Sequence, residues 1–163
     1  FTGWIGYTLS WTWRKFTDLN SGQKFAAKYD RRHDLSIVGT YELNRKWKFG
    51  AVFVYGTGNA ISLPERFYVL NGVLTQEYSG IDQYRLSSYH RMDLSATLTP
   101  SQKKNKKLES FWVFSVYNVY DHLNPYFIYF SQKGDPYNGN LQIEARQVSL
   151  FPVLPAVTWN FKF

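Results

Sequence analysis

The stretch VLPAVTWNFKF, from Val153 to Phe163, constrains the fold more than any other part of the chain. Val157, Trp159, Phe161 and Phe163 recur at every second position, with Thr158, Asn160 and Lys162 between them. A period of two is that of an extended strand with one apolar and one polar face. A soluble domain can bury such a face but seldom ends on it, because terminal residues are usually polar and frayed. The expectation is a closing strand whose aromatic side meets lipid.

Composition fits that expectation. Phe, Tyr and Trp make up 20% of the 163 residues, and Tyr and Trp suit places where one end of a side chain is dry and the other wet. Mean hydropathy is −0.38, and no apolar run approaches the ~18 residues of a membrane helix. A helical membrane protein is therefore excluded, whereas a membrane β-barrel hides its apolarity in alternation. The length suffices for one domain. Of the net charge of +7, four lysines, Lys103, Lys104, Lys106 and Lys107, crowd one segment. No aromatic is interleaved with them, so they read as a solvated turn, and no nucleic-acid partner is expected. With no cysteine, a disulfide framework and a Cys-based metal or redox site are ruled out. The chain starts at Phe1 inside a strand pattern, without an initiator Met or signal peptide, and the expectation is a piece of something longer.

Alternation recurs along the chain. Phe1 to Phe16 reads as one long strand, with Ile5, Tyr7, Leu9, Trp11 and Trp13 opposite Gly6, Thr8, Ser10, Thr12 and Arg14. After a polar loop, 32–43 places Leu35, Ile37, Tyr41 and Leu43 on one face, and Asn44-Arg45 turns the chain into 46–55, where Trp47, Phe49, Ala51, Phe53 and Tyr55 share a face. Residues 56–89 form a long irregular segment punctuated by Gly58-Asn59, Pro64, Asn71-Gly72 and Ser79-Gly80. A strand over 91–99 precedes the lysine turn. Residues 111–120 are extended, pause over 121–125 at Pro125 and resume over 126–130. The last strand is expected over about 144–163. No helix, repeat or linker is evident.

Six strands thus emerge, joined by connections that alternate longer and shorter. Outer-membrane barrels have this asymmetry, with long loops outside and short turns on the periplasmic side. Taking Asn44-Arg45 and the lysine turn as periplasmic makes the last strand descend and puts the C-terminus in the periplasm. Trp4, Trp47, Trp112 and Trp159 then lie near periplasmic strand ends, and Trp11, Trp13, Tyr55 and Tyr89 near outer ends, as two aromatic girdles require. The competing architecture is a soluble β-sandwich binding module, whose aromatics would not sort to strand ends.

Five segments, Gly3–Thr12 (GWIGYTLSWT), Tyr29–Trp47, Tyr89–Leu98, Ser115–Phe130 and Leu150–Phe163, resemble the C-terminal strands of TonB-dependent outer-membrane receptors. The Asn-Pro-Tyr-Phe stretch at 124–127 resembles the lineage with a carboxypeptidase-regulatory-like N-terminal extension more than the SusC-type importers. The resemblance implies an all-β, antiparallel, up-and-down transmembrane barrel of about 22 strands with a plugged lumen. This chain would supply the last six strands, and the plug and the TonB-contacting segment would lie outside it. It implies import of a scarce nutrient, TonB as energy source, outer-membrane lipid and lipopolysaccharide as surroundings, and a C-terminal signal, Trp159, Phe161 and Phe163, read by the barrel-assembly machinery. A passive porin or adhesin barrel is the alternative within membrane proteins.

No catalytic constellation is visible, and neither an enzyme activity nor a cofactor is expected. His33, His90 and His122 are far apart in the sequence and read as surface residues at strand ends rather than metal ligands. Arg91 with Asp93, and Arg32 with Asp34, share the lumen-facing side of their strands and read as ion pairs holding strands or plug in register. Arg66, Tyr68, Tyr78, Tyr84, Arg85 and Tyr89 are the ligand candidates of the long loop. Lys24, Lys28, Arg31 and Lys133 read as outward cations for lipopolysaccharide phosphates.

Overall fold

The computed structural model describes residues 1–100, 109–134 and 138–162. The lysine turn and Phe163 lie outside the described residues. In chain order the strands are β1 (Thr2–Leu9), β2 (Trp13–Arg14), β3 (Phe25–Ala26), β4 (His33–Glu42), β5 (Trp47–Gly56), β6 (Ala60–Ile61), β7 (Arg66–Leu70), β8 (Val73–Glu77), β9 (Tyr84–Arg85), β10 (Tyr89–Leu98), β11 (Glu109–Tyr117), β12 (Pro125–Lys133), β13 (Gln142–Ser149) and β14 (Leu154–Lys162). Among the described residues the fold is all-β and antiparallel, with a 3-10 turn at Asn20–Gly22.

Six strands build one sheet in the order β1-β4-β5-β10-β11-β14, each beside its predecessor along the chain. The Asn44-Arg45 connection forms because the Asn44 side-chain oxygen accepts from the N–H groups of Lys46 and Trp47, both at 2.9 Å. Register carries the period of two across the whole sheet. On one face Ile5 lies beside Ile37, Ile37 beside Phe53, and Phe53 beside Met92. Further along the same face run Trp47, Leu98, Trp112 and Trp159, each the Cα partner of the next. On the other face lie Thr40 with Gly50, Gly50 with Ser95, and Ser95 with Ser115.

Nothing among the described residues covers the apolar face. Among the described residues no second sheet stacks on the six strands, so the two layers of a sandwich are not observed. Ile5 is 71% exposed and Val157 61%. Each edge strand, β1 and β14, has one sheet neighbour only, and no barrel is closed within the described residues.

The buried apolar residues, Phe25, Ala26, Ala27, Ala60 and Leu86, sit at the opposite end of the sheet from Asn44-Arg45. There the long connections fold on one another. Two-stranded sheets form in them, β2 with β3, β6 with β9, β7 with β8, and the longer pair β12 with β13.

Several expectations are corrected here. The first strand does not run unbroken to Phe16. It stops at Leu9, where its partner β4 begins at His33, and Trp13-Arg14 pairs instead with Phe25-Ala26. The segment 56–89 is not irregular throughout: Asn71 (φ 51°) and Gly72 (φ 80°) turn β7 into β8 as a two-residue hairpin. The last strand is two, because Phe151 adopts φ 58° between β13 and β14. Likewise 126–130 does not prolong β11 in the main sheet. It belongs to β12, which pairs with β13 beyond turn residues Asn118 and Asp121, both at positive φ. Trp4 is not in the apolar-face girdle, since its Cα partner is Val38 and its ring lies over Gly6 on the polar face.

Candidate functional site

The folded connections form a cap whose centre is an ion pair with a buried carboxylate. Asp30 is fully buried, and its carboxylate accepts from the Thr12 N–H at 2.6 Å and from the Arg85 guanidinium. Arg85 also donates to the carbonyls of Asp30 (2.7 Å) and Gly58 (3.2 Å). One side chain therefore ties the connection after β1 to both ends of the connection after β5. Gly58 allows this approach, because a Cβ there would stand 1.7 Å from the Leu86 carbonyl oxygen.

Just below the cap, on the polar face of the sheet, Arg91 is held by a second set of partners. Its guanidinium donates to the hydroxyls of Tyr89 (2.9 Å) and Tyr117, pairs with Asp93 at 3.0 Å, and lies 4.0 Å above the Tyr117 ring centre. Asp93 in turn accepts from the Asn118 N–H at 2.9 Å. The Arg91–Asp93 pairing matches its expected place on the polar face. Arg32 and Asp34 do not pair. Asp34 sits 3.6 Å from Arg31, whose Nε donates to Asn59 at 3.2 Å and whose guanidinium lies over the Tyr89 ring. Arg31 is thus turned towards the polar-face cluster while its side chain stays partly exposed.

The six loop candidates do not form one constellation. Arg66, Tyr68 and Tyr78 belong to the β7–β8 hairpin or its margin. There Arg66 lies 3.9 Å from Glu77, and the Tyr78 hydroxyl donates to Gln76 at 2.7 Å. The Tyr84 hydroxyl donates to Glu65 at 3.0 Å. Bonds from Ser79 and Tyr84 hold the Glu65 carboxyl below its usual range, and the same contact pushes the Tyr84 phenol up. Arg85 is committed to Asp30, and Tyr89 to Arg91. Of the proposed surface cations, Lys24 lines a depression beneath Trp13, Lys28 lines another beside Tyr126 and Phe127, and Lys133 is exposed at the end of β12.

Sequence separation hid two further clusters. His90 and His122 stack with ring centres 3.7 Å apart, and the Tyr120 hydroxyl lies 3.0 Å from His90 Nδ1. His33 instead meets the Tyr7 hydroxyl at 2.8 Å. Among the described residues no group of three or more His, Cys, Asp or Glu converges as a metal site. The second cluster is a pair of buried amides. Asn124 exchanges bonds with both the N–H and the C=O of His90, and Asn118 joins His122 to the Phe151 carbonyl. An Asn-Pro signal marks this turn in the sequence, but nothing local reveals the partners.

The aromatic ends of the apolar face are partly as expected. Trp112 stacks on Trp159 at 5.7 Å, and Trp159 meets Phe161 at 4.7 Å, close to the Asn44 turn end. At the cap end, rings with polar tips, Tyr7, Tyr55 and His90, end the same face. Trp11 and Trp13 lie beyond the sheet, and Tyr89 points to the polar side with Arg91. Comparison with family models, with curated proteins and with solved structures gave no match to this chain.

Proposed function

We propose that this chain is the C-terminal segment of a TonB-dependent outer-membrane transporter that imports a scarce nutrient, six strands of a barrel of about 22. One observation carries the reading. Among the described residues six strands form a single-layer antiparallel sheet with an uncovered apolar face, a polar opposite face and both edges without a second neighbour. Apolar side chains in that arrangement need a solvent other than water, and open edges need further strands.

Strand lengths support it. The six strands run from eight to ten residues, near the 9–11 of a tilted membrane-spanning strand. So does the resemblance of five spaced segments to TonB-dependent receptors. On this reading the cap faces outward over the lumen mouth, the Arg91 cluster lines the lumen beneath it, and the Asn44 turn and the C-terminus face the periplasm. The missing strands, plug and TonB contact come from elsewhere. Trp159, Phe161 and Phe163 serve as the signal for barrel assembly, and lipopolysaccharide surrounds the outer rim.

The test begins with fractionation of cells producing the protein. Recovery in the outer membrane, faster gel migration before heating than after, and nutrient uptake that stops when TonB is removed are the expected results. A protein that stays in solution without detergent would overturn the membrane reading. Uptake that continues without TonB would favour a passive barrel.

A further inference from the structure

A depression of about 300 Å³ lies in the cap, between the connection after β1 and the strand β9. Trp13 forms one side, and its indole is half exposed. Lys24 and Arg32 also line it, and neither side chain has a direct hydrogen bond or ion pair among the described residues, although the Arg32 charge also acts on nearby Asp30. Arg85 lines it too, but its charge is neutralised by Asp30. The carboxylate on the wall, Asp82, is occupied on one oxygen by the Ser62 hydroxyl at 3.3 Å. The amides of Asn20, Gln23 and Gln83 line it too, the Gln83 oxygen already accepting from Ser79, and Phe25, Ala26 and Ile81 make up the rest.

We infer that this depression binds an acidic saccharide, a sugar ring bearing a carboxylate. The inference rests on the import reading, in which the cap faces the outside. Each part of the lining has a counterpart in that ligand. A flat indole offers a surface for the C–H face of a sugar ring. Side-chain amides both donate and accept, as hydroxyl groups require. Lys24 and Arg32, neither in an ion pair, outnumber Asp82, the one wall carboxylate without a cationic partner, and so favour one negative charge, and Arg32 has the planar fork that fits a carboxylate. The volume suits one or two rings, at the small end of ligand sites. Arg85, bonded to the buried Asp30, ties both walls together at the floor.

The probes are a uronic-acid disaccharide and its methyl ester, which keeps the rings and replaces the charge with a methyl-capped carboxyl, added to the detergent-solubilised protein. Quenching of tryptophan fluorescence reads binding. The acid is expected to bind about tenfold or more tightly than the ester, the size of losing one charge-assisted bond. Arg32→Gln with Lys24→Gln should abolish that preference while the ester still binds, and Trp13→Ala should weaken both probes. Equal binding of acid and ester, an unchanged preference in the double Gln variant, tighter binding of an acidic dipeptide, or binding of lipid A micelles alone would each overturn the assignment. Binding is measured without transport, so the two readings fail separately. Loss of uptake dependence on TonB leaves the saccharide site standing, and absent binding in a protein that still imports removes the site only.

Discussion

Asp30 has no solvent contact, and its charge is kept by neighbours contributed from distant parts of the chain. Burial pushes its carboxyl pKa up, but the Thr12 N–H, the Arg85 guanidinium and the Arg32 charge outweigh that and hold it below the ordinary value. A depressed folded pKa gives stability that is present above the unfolded pKa of about 3.9 and is lost as pH falls through the folded value. The cap is therefore expected to keep its order from neutral pH down to about pH 4 and to loosen below it. Tryptophan fluorescence during an acid titration checks this, and Asp30→Asn should lack that acid step. Asp30→Ala should cost the cap about 2–3 kcal/mol, less than a fully buried pair because Arg85 keeps some solvent contact. Faster proteolysis within 57–88 would report it. None of this was legible locally. Arg85 and Asp30 are 55 positions apart, and a cation in an aromatic loop reads as a ligand contact until its donors are traced. Arg91 and Asp93 were legible because two residues apart on one strand always share a face.

At the scale of single elements, the two faces of β10 should respond differently to charge. Leu94 lies on the apolar face beside Ala51 and Val116, whereas Ser95 lies on the polar face beside Gly50 and Ser115. Leu94→Lys is expected to cost about 2–4 kcal/mol if the face meets lipid, and Ser95→Lys much less. The heat-modifiable fraction on gels measures the contrast, and equal tolerance would speak against a bilayer. Gly58→Ala should separate β6 from β9, because the chain at Leu86 and Ser87 occupies the space a Cβ needs. Amide exchange at Leu86, whose N–H donates to the Asn59 carbonyl, reports that separation. Alternation located all six sheet strands, since period two is imposed by the pleat itself. It could not locate their ends. Trp11 and Trp13 continue the pattern of β1, yet pairing stops where β4 stops offering partners. The break at Phe151 was equally hidden, because a bulky residue at positive φ is held there by its surroundings and not by its own preference. The β7–β8 hairpin, by contrast, had its signal in Asn71-Gly72.

For the whole molecule, the open edges make a prediction of their own. In detergent and without further strands, the outward-facing N–H groups of β1 and β14 should exchange rapidly while β4, β5 and β10 stay protected. Assembly into a complete barrel should slow exchange at both edges. Protection of β14 on both sides in the isolated chain would remove the need for other strands. The small apolar interior at the cap, Phe25, Ala26, Ala27, Ala60 and Leu86, has a different consequence. That end carries its own interior, while the sheet borrows one from whatever surrounds it. If the apolar face meets lipid as proposed, a thinner or thicker bilayer should shift the melting of the sheet and leave the cap untouched, and urea should do the reverse, so the chain would show two separately adjustable transitions.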